Sequence, residues 1–242
     1  MNSDTETNRE SNFSLVLDSG RVFRSLLAVI GCLVLASTAG QVSNYAFGHG
    51  RLFGLVRLFY LDGEQTIPAS FSSLQLLAAA GLIAWIARAK RDHRDPYALH
   101  WAALALGFVA LAIDENCAMH EKLALGDRVS IAHTGVFYFG WVLPALVGVA
   151  VIGAMFVRFV FHLPSPIRNG FIVSALLFVG GAVGVEMLEA KYAEKHGVFT
   201  PGFVIYVTIE ETLELVGIAN FIRVLLVYLE SLKWKGRIAF GG

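Results

Sequence analysis

Three short segments hold most of the residues that could do chemistry, and each adjoins a long apolar run. They are "AIDENCAMHEKL" (112–123), "GVEMLEAKY" (184–192) and "IEETLELVG" (209–217). Carboxylates and imidazoles are the side chains with which proteins hold Zn, Mn or Fe. A metal held in this way activates water for hydrolysis or, if it is redox-active, oxygen for oxidation. The residue types therefore predict a divalent metal site.

Helical spacing narrows the choice of ligands. In the first segment Asp114, Cys117 and Glu121 fall on one face, His120 lies on its flank, and Glu115 is turned away by about 100°. The other two segments each place two glutamates on one face, three or four residues apart. The predicted metal ligands are Asp114, His120, Glu121, Glu186, Glu189, Glu210 and Glu214. The supporting or alternative ligands are Glu115, His133, Glu211, Gln41 and Gln75.

Clustered carboxylates in a medium of low dielectric constant need a source of positive charge. They can take up protons, pair with lysine or arginine, or bind a metal. Basic residues at the same depth are few, which favours the metal. Simpler explanations stay open: acids at helix ends can face water, and Glu210 and Glu211 would interact favourably with the dipole at the start of a helix.

The elements that carry these residues are predicted to be membrane helices. The chain has 242 residues, of which 56% are hydrophobic and 16% charged, and its mean hydropathy is +0.62. About 20 apolar residues of helix cross a bilayer, and six such segments occur. They are 22–47, 70–89, 99–123, 134–161, 169–193 and 203–232. We therefore predict an all-α integral membrane bundle of about six helices over residues 21–233. A disordered polar tail (1–20) precedes it and a short tail (234–242) follows.

The distribution of basic residues predicts the orientation. The loop "RAKRDHRDPY" between the second and third segments contains four of them, and short basic loops stay in the cytoplasm. With six spans, both termini are then cytoplasmic, and the inner side has 13 basic residues against 6 outside. This count used no acidic residue, yet it places every acid-rich segment on the outer side. We predict a multi-pass protein of the cell membrane, in bacteria the inner membrane, in contact with lipid. The zero formal net charge gives no reason to expect nucleic acid as a partner.

Two further patterns concern packing and family. Gly180 and Gly184 form a small-xxx-small pair, which predicts close approach of another helix there. The segment "LDGEQTIPASFSS" and the three acidic segments together resemble a family of bacterial polytopic membrane proteins of unassigned function. That family has Pro-x-x-(Phe/Tyr)-Ser-Ser, Asp-Glu…His-Glu and Glu-Glu-x-x-Glu motifs. The resemblance covers about residues 55–220 and implies that these motifs belong together, but it implies no activity.

Three functions fit these patterns. The first is a metal-dependent membrane enzyme, a hydrolase or an oxidase, acting on an amphiphilic substrate such as a lipid. The second is a cation or proton carrier that uses the same carboxylates. The third is a non-catalytic accessory subunit of a larger membrane complex.

Overall fold

The structure is a computed structural model that describes residues 18–117, 119 and 134–232. These residues contain no strand, and six of their helices are long and apolar enough to cross a membrane. We label them α1 (Ser19–Phe47), α2 (Ile67–Asp92), α3 (Ala98–Cys117), α4 (Val142–His162), α5 (Ser165–His196) and α6 (Pro201–Ser231). A 3-10 turn (Leu52–Gly54) and a single helical turn (Leu55–Leu58) connect α1 to α2. The expectation of an all-helical bundle with six potential spans is confirmed.

Side-chain caps fix the starts of several helices. Asp18 accepts hydrogen bonds from the N–H groups of Gly20 and Arg21, and Thr66 and Thr200 cap α2 and α6 in the same way. Each of the two threonines is followed by a proline in the first helical turn. Proline is well tolerated there, because the first N–H groups of a helix have no partner within it.

The helix boundaries predicted from the sequence differ most from those of the structure at α4, which begins at Val142 and not at 134. Residues Gly135–Phe137 form a 3-10 turn in which Gly135 has φ +59°. This left-handed conformation interrupts an α-helix. Turn residues continue up to Trp141, and Pro144 then lies in the first turn of α4. The predicted continuation of the third span to residue 123, the tail 234–242 and residues 1–17 of the predicted tail 1–20 lie outside the described residues. Ser19 and Gly20, at the end of that predicted tail, already belong to α1.

Helix α6 forms the centre of the bundle. It packs against α1, α2 and α5, whereas α2 and α3 pack extensively on each other. Over its most apolar stretch, 56% of α6 is buried, compared with 11% of α4. Leu106, Met155 and Leu176, on three outer helices, are between 64% and 71% exposed. Large apolar side chains exposed on so many helices are typical of a surface that faces lipid.

Two glycines allow α5 and α6 to approach each other closely. A Cβ atom on Gly181 would lie 2.8 Å from the carbonyl oxygen of Glu210, and one on Gly217 would lie 2.8 Å from the backbone nitrogen of Phe178. The prediction that Gly180 and Gly184 make the close contact was wrong, because no described atom lies within 4 Å of a Cβ built on either. The reason is a π-helical segment, Gly180–Val185, which changes which residues of α5 face α6.

The acid-rich segments meet at one end of the bundle, where α1, α3 and α5 end and α2, α4 and α6 begin. We call this the carboxylate end. The loops at this end also bond to the helices: the Leu61 N–H donates to Ser37 Oγ on α1, and the Gly135 N–H donates to a carboxylate oxygen of Glu194 on α5. One end of the fold therefore contains the described candidate residues.

Candidate metal centre

Three glutamates from two helices form the centre of the carboxylate end. Glu186 and Glu189 lie on α5 and Glu210 lies on α6, and each offers one carboxylate oxygen within 4.8 Å of those of the other two. All three are buried, with exposed fractions of 8%, 3% and 8%. We call these residues the glutamate triad. The missing side chain of Gly181 positions it, because that glycine lets the Glu210 backbone pack directly against α5.

Hydrogen bonds satisfy only part of the glutamate triad. Trp141 Nε1 donates to Glu186 Oε1 at 3.1 Å. Glu210 lies within hydrogen-bonding reach of both Glu186 and Glu189. Glu189 Oε2 is buried and has no hydrogen-bond partner among the described residues. Buried polar atoms in folded proteins nearly always have a partner, so this oxygen marks a position where a cation, a proton or water is required.

No described basic residue forms an ion pair with Glu189 or Glu210. The ion pairs between described residues join Arg21 to Asp18 and Lys90 to Asp95, at the opposite end of the bundle. Three carboxylates at this separation in a buried site repel one another strongly. A bound divalent cation would remove that repulsion and would supply the missing partner of Glu189 Oε2.

A π-helical segment precedes the triad directly. It covers Gly180–Val185, and the Glu186 N–H then donates to the Gly181 carbonyl oxygen, five residues earlier. Such π turns inside α-helices are frequent at functional sites. Sequence reasoning missed this feature, although three glycines in "GGAVGV" indicate a stretch with weak preference for regular helix.

A second group of acids adjoins the triad. Glu211 and Glu214 on α6 are half-buried, and both interact electrostatically with Glu115 on α3 and with Asp62. Glu214 also interacts with Glu186, which links the two groups. Helical spacing turned Glu115 away from the face of Asp114, but Glu115 and Asp114 are both half-buried, so burial does not separate them. The face that Asp114 shares with Cys117 was chosen instead, but Cys117 is exposed.

The remaining predicted residues have different positions. Asp114 is half-buried near the end of α3. Gln75 on α2 is 2% exposed, and neither polar atom of its side chain has a hydrogen-bond partner among the described residues. Gln41 lines a cavity beside the triad. His120, Glu121 and His133 lie outside the described residues, so their predicted role as ligands stays a prediction.

A cavity of about 600 Å³ opens beside the glutamate triad. Its acidic lining residues are Asp62, Glu186 and Glu189. Its described aromatic lining residues are Tyr45, Tyr60, Tyr138, Phe139, Trp141, Phe199 and Phe203, and the amides of Gln41 and Asn44 also line it. A cavity of this size is typical of small-molecule sites.

Sequence reasoning assigned no role at the site to Tyr60, Asp62 or Trp141. Tyr60 donates a hydrogen bond of 3.4 Å to Asp62 Oδ2. Burial and then the negative charge of Asp62 raise the pKa of the Tyr60 phenol far above its usual value, so the hydroxyl stays protonated. The available signal was Asp62 in "LDGEQTIP", directly before the Pro-x-x-Phe-Ser-Ser motif.

The comparisons with known proteins identify a family without a named activity. The profile of a family described as a domain of unknown function, DUF8692, matches residues 26–229, from within α1 almost to the end of α6. The chain belongs to this family, which confirms the expectation of an uncharacterised one. Neither a curated protein nor a solved structure matches the chain.

Proposed function

We propose that this member of the DUF8692 family is a multi-pass membrane protein that binds a divalent metal ion through Glu186, Glu189 and Glu210. The metal serves an enzymatic reaction, hydrolysis or oxidation, on an amphiphilic substrate held in the adjoining cavity. The observation that carries the proposal is the buried glutamate triad, in which one oxygen of Glu189 has no described partner. The six apolar helices support a location in the cell membrane, the inner membrane in bacteria.

The ligand chemistry limits the choice of metal. The triad offers only carboxylate oxygen, which suits Mn(II) better than Fe(II) or Zn(II), whose sites favour imidazole nitrogen. His120 and Glu121 would extend the ligand set if they lie as the sequence predicts. The chain would then supply the ligands, the Trp141 hydrogen bond that orients Glu186, and a cavity that holds the substrate beside the metal.

The alternative of a carrier receives no comparable support. A carrier needs polar groups along a path through the whole bundle. The buried residues of α6 between Leu215 and Leu226 are all apolar or glycine. The described acids of the site are confined to the carboxylate end, which suits a reaction there better than transport across the bundle.

The metal content of the purified protein tests the proposal. We expect the wild type in lipid nanodiscs, after incubation with Mn(II) and gel filtration, to retain about one ion per chain or more by elemental analysis. Glu189→Gln and Glu210→Gln should each lose most of that metal, because each removes a charged ligand of nearly the same size. Glu230→Gln is the matched control, since Glu230 is exposed near the other end of α6.

Two results would overturn the proposal. One is a wild type that retains no stoichiometric Mn, Fe or Zn. The other is retention of the full metal content by both triad variants. Mn(II) electron paramagnetic resonance of the same samples gives a second measurement, because binding at the triad replaces the spectrum of hydrated Mn(II). A partner protein that always copurifies with a metal-free chain would instead favour the accessory-subunit function.

A further inference from the structure

We infer that the connection between α1 and α2 anchors this part of the protein in the membrane interface and binds anionic phospholipids there. The residues concerned are 51–58, "RLFGLVRL", and we call them the interfacial segment. Lipid binding by this segment is independent of the metal centre. It requires only that the bundle lies in a membrane, which belongs to the proposed function.

Four large apolar side chains of the interfacial segment are exposed. Phe53 is fully exposed, and Leu52, Leu55 and Leu58 are between 42% and 50% exposed. The segment follows the end of α1 and precedes the start of α2, so it lies at the level where two potential spans end. Apolar side chains concentrated in this way mark an interaction surface. At the end of a membrane span, insertion among lipid chains removes them from water.

The backbone holds Phe53 in its exposed position. Leu52 and Phe53 have φ values of +33° and +56°, and Gly54 follows with φ +90°. Left-handed values are unfavourable for leucine and phenylalanine, and they persist where the surrounding structure imposes them. Val56 fixes the segment to α1, because it is buried and a Cβ atom on Gly40 would lie 3.5 Å from its Cα. The segment is thus attached through Val56 and presents Phe53 away from the protein.

The helical turn Leu55–Leu58 is amphipathic. Successive residues of a helix are about 100° apart, so Leu55 and Leu58 share a face, and Val56 and Arg57 lie on either side of it. Val56 faces the protein, whereas the exposed leucine pair and Arg57 point in different directions. Separate apolar and basic faces are typical of segments that lie in the plane of a membrane interface.

Arg51 and Arg57 supply the attraction for a phosphate group. Both are exposed, neither forms an ion pair with a described residue, and the segment contains no acid. A guanidinium group binds phosphate oxygens through two parallel hydrogen bonds, and basic residues near a membrane surface favour anionic lipids. Phosphatidylglycerol fits this charge better than phosphatidylcholine, in which an ammonium group cancels the charge of the phosphate.

Quenching of tryptophan fluorescence by lipids with brominated chains tests both the contact and the selectivity. Phe53→Trp is reconstituted into bilayers of phosphatidylglycerol and phosphatidylcholine in which one or the other lipid is brominated. The wild-type signal is subtracted to remove the four native tryptophans. We expect quenching at this position, with a relative binding constant that favours phosphatidylglycerol by about threefold or more. Adding Arg51→Gln and Arg57→Gln together should bring this ratio close to one.

Two controls locate the effect. Leu106→Trp lies on the exposed surface of α3, which contains no lysine or arginine, so both lipids should quench it equally. Arg88→Gln with Arg91→Gln removes the same charge from exposed positions at the other end of the bundle. This pair should leave the ratio measured with Phe53→Trp unchanged.

Three results would overturn the inference. They are no quenching of Phe53→Trp beyond the wild type, equal binding constants for the two lipids, and a preference for phosphatidylglycerol that survives the loss of both arginines. The first result would place Phe53 in water or beneath a partner protein. Quenching of Leu106→Trp in the same bilayers shows separately whether the bundle lies in the membrane, and elemental analysis tests the metal centre.

Discussion

Replacing Glu210 by glutamine should change the stability of the protein in opposite directions with and without metal. In the metal-free protein, Glu210 carries a third carboxylate within 4.8 Å of those of Glu186 and Glu189. The glutamine side chain has nearly the same shape but no charge, so it removes repulsion. In the metal-bound protein, the same substitution removes a ligand.

The magnitude follows from the geometry. Two unit charges 4.8 Å apart repel by about 3.5 kcal/mol at an effective dielectric constant of about 20. Uptake of one proton limits the cost, because protonating an ordinary glutamate at pH 7 takes about 4 kcal/mol. We therefore expect Glu210→Gln to stabilise the metal-free protein by about 1–3 kcal/mol. For a chain of this size, that raises the Tm by about 2–4 °C per kcal/mol.

Bound metal reverses the effect of Glu210→Gln on stability. At a free concentration 100 times its Kd, a ligand that binds only the folded state stabilises it by about 2.7 kcal/mol. The wild type should gain this stabilisation, and Glu210→Gln should gain little of it. Thermal unfolding in nanodiscs, followed by tryptophan fluorescence with EDTA and with Mn(II), measures both effects, and Glu230→Gln should behave like the wild type.

The reasoning is refuted if Glu210→Gln lowers the Tm in EDTA and still shows the full stabilisation by metal. That outcome would mean that Glu210 makes favourable contacts in the metal-free state and is not a ligand. A Tm below that of the wild type both in EDTA and in Mn(II), with no shift when metal is added, would refute the predicted repulsion. It would still agree with Glu210 as a metal ligand.

Three further predictions use the same unfolding measurement. Gly181→Ala should lower the free energy of unfolding by about 1–3 kcal/mol, and with it the Tm, because the added Cβ would overlap α6. Gly180→Ala should leave the Tm unchanged, because no described atom lies near its Cβ. Gln75→Met should leave the Tm unchanged or raise it, since it removes a buried amide without described partners; a clear loss of stability would contradict this. Burial alone would raise the pKa of Asp95, but hydrogen bonds from Lys90 and a backbone N–H lower it overall. The charged Asp95 therefore stabilises the fold at pH values above its unfolded pKa, and this stabilisation is lost as the pH falls through its lower folded pKa. Asp95→Asn should reduce the fall of the Tm over this acid range.

The sequence predicts the helices well because long apolar runs determine them. It also predicts that Glu186, Glu189 and Glu210 come together, because acids at the ends of neighbouring spans must lie at one depth. It could not predict which face of α3 meets α6, since a helical wheel gives relative angles but not the direction of a neighbour. Asp62 and Trp141 come from turns between helices, where no periodicity indicates which way a side chain points.

The π-helical segment explains how α5 turns both Gly181, which allows close packing, and Glu186, which belongs to the glutamate triad, toward α6. Gly181 must face α6 for the backbones to approach, and Glu186 must face α6 to meet Glu210. In a regular α-helix, residues five apart point about 140° away from each other. The bond from the Glu186 N–H to the Gly181 carbonyl oxygen is the five-residue bond of a π turn, and this wider turn brings such residues closer to one face. The glutamate triad and the close helix contact therefore depend on one local departure from α-helical geometry.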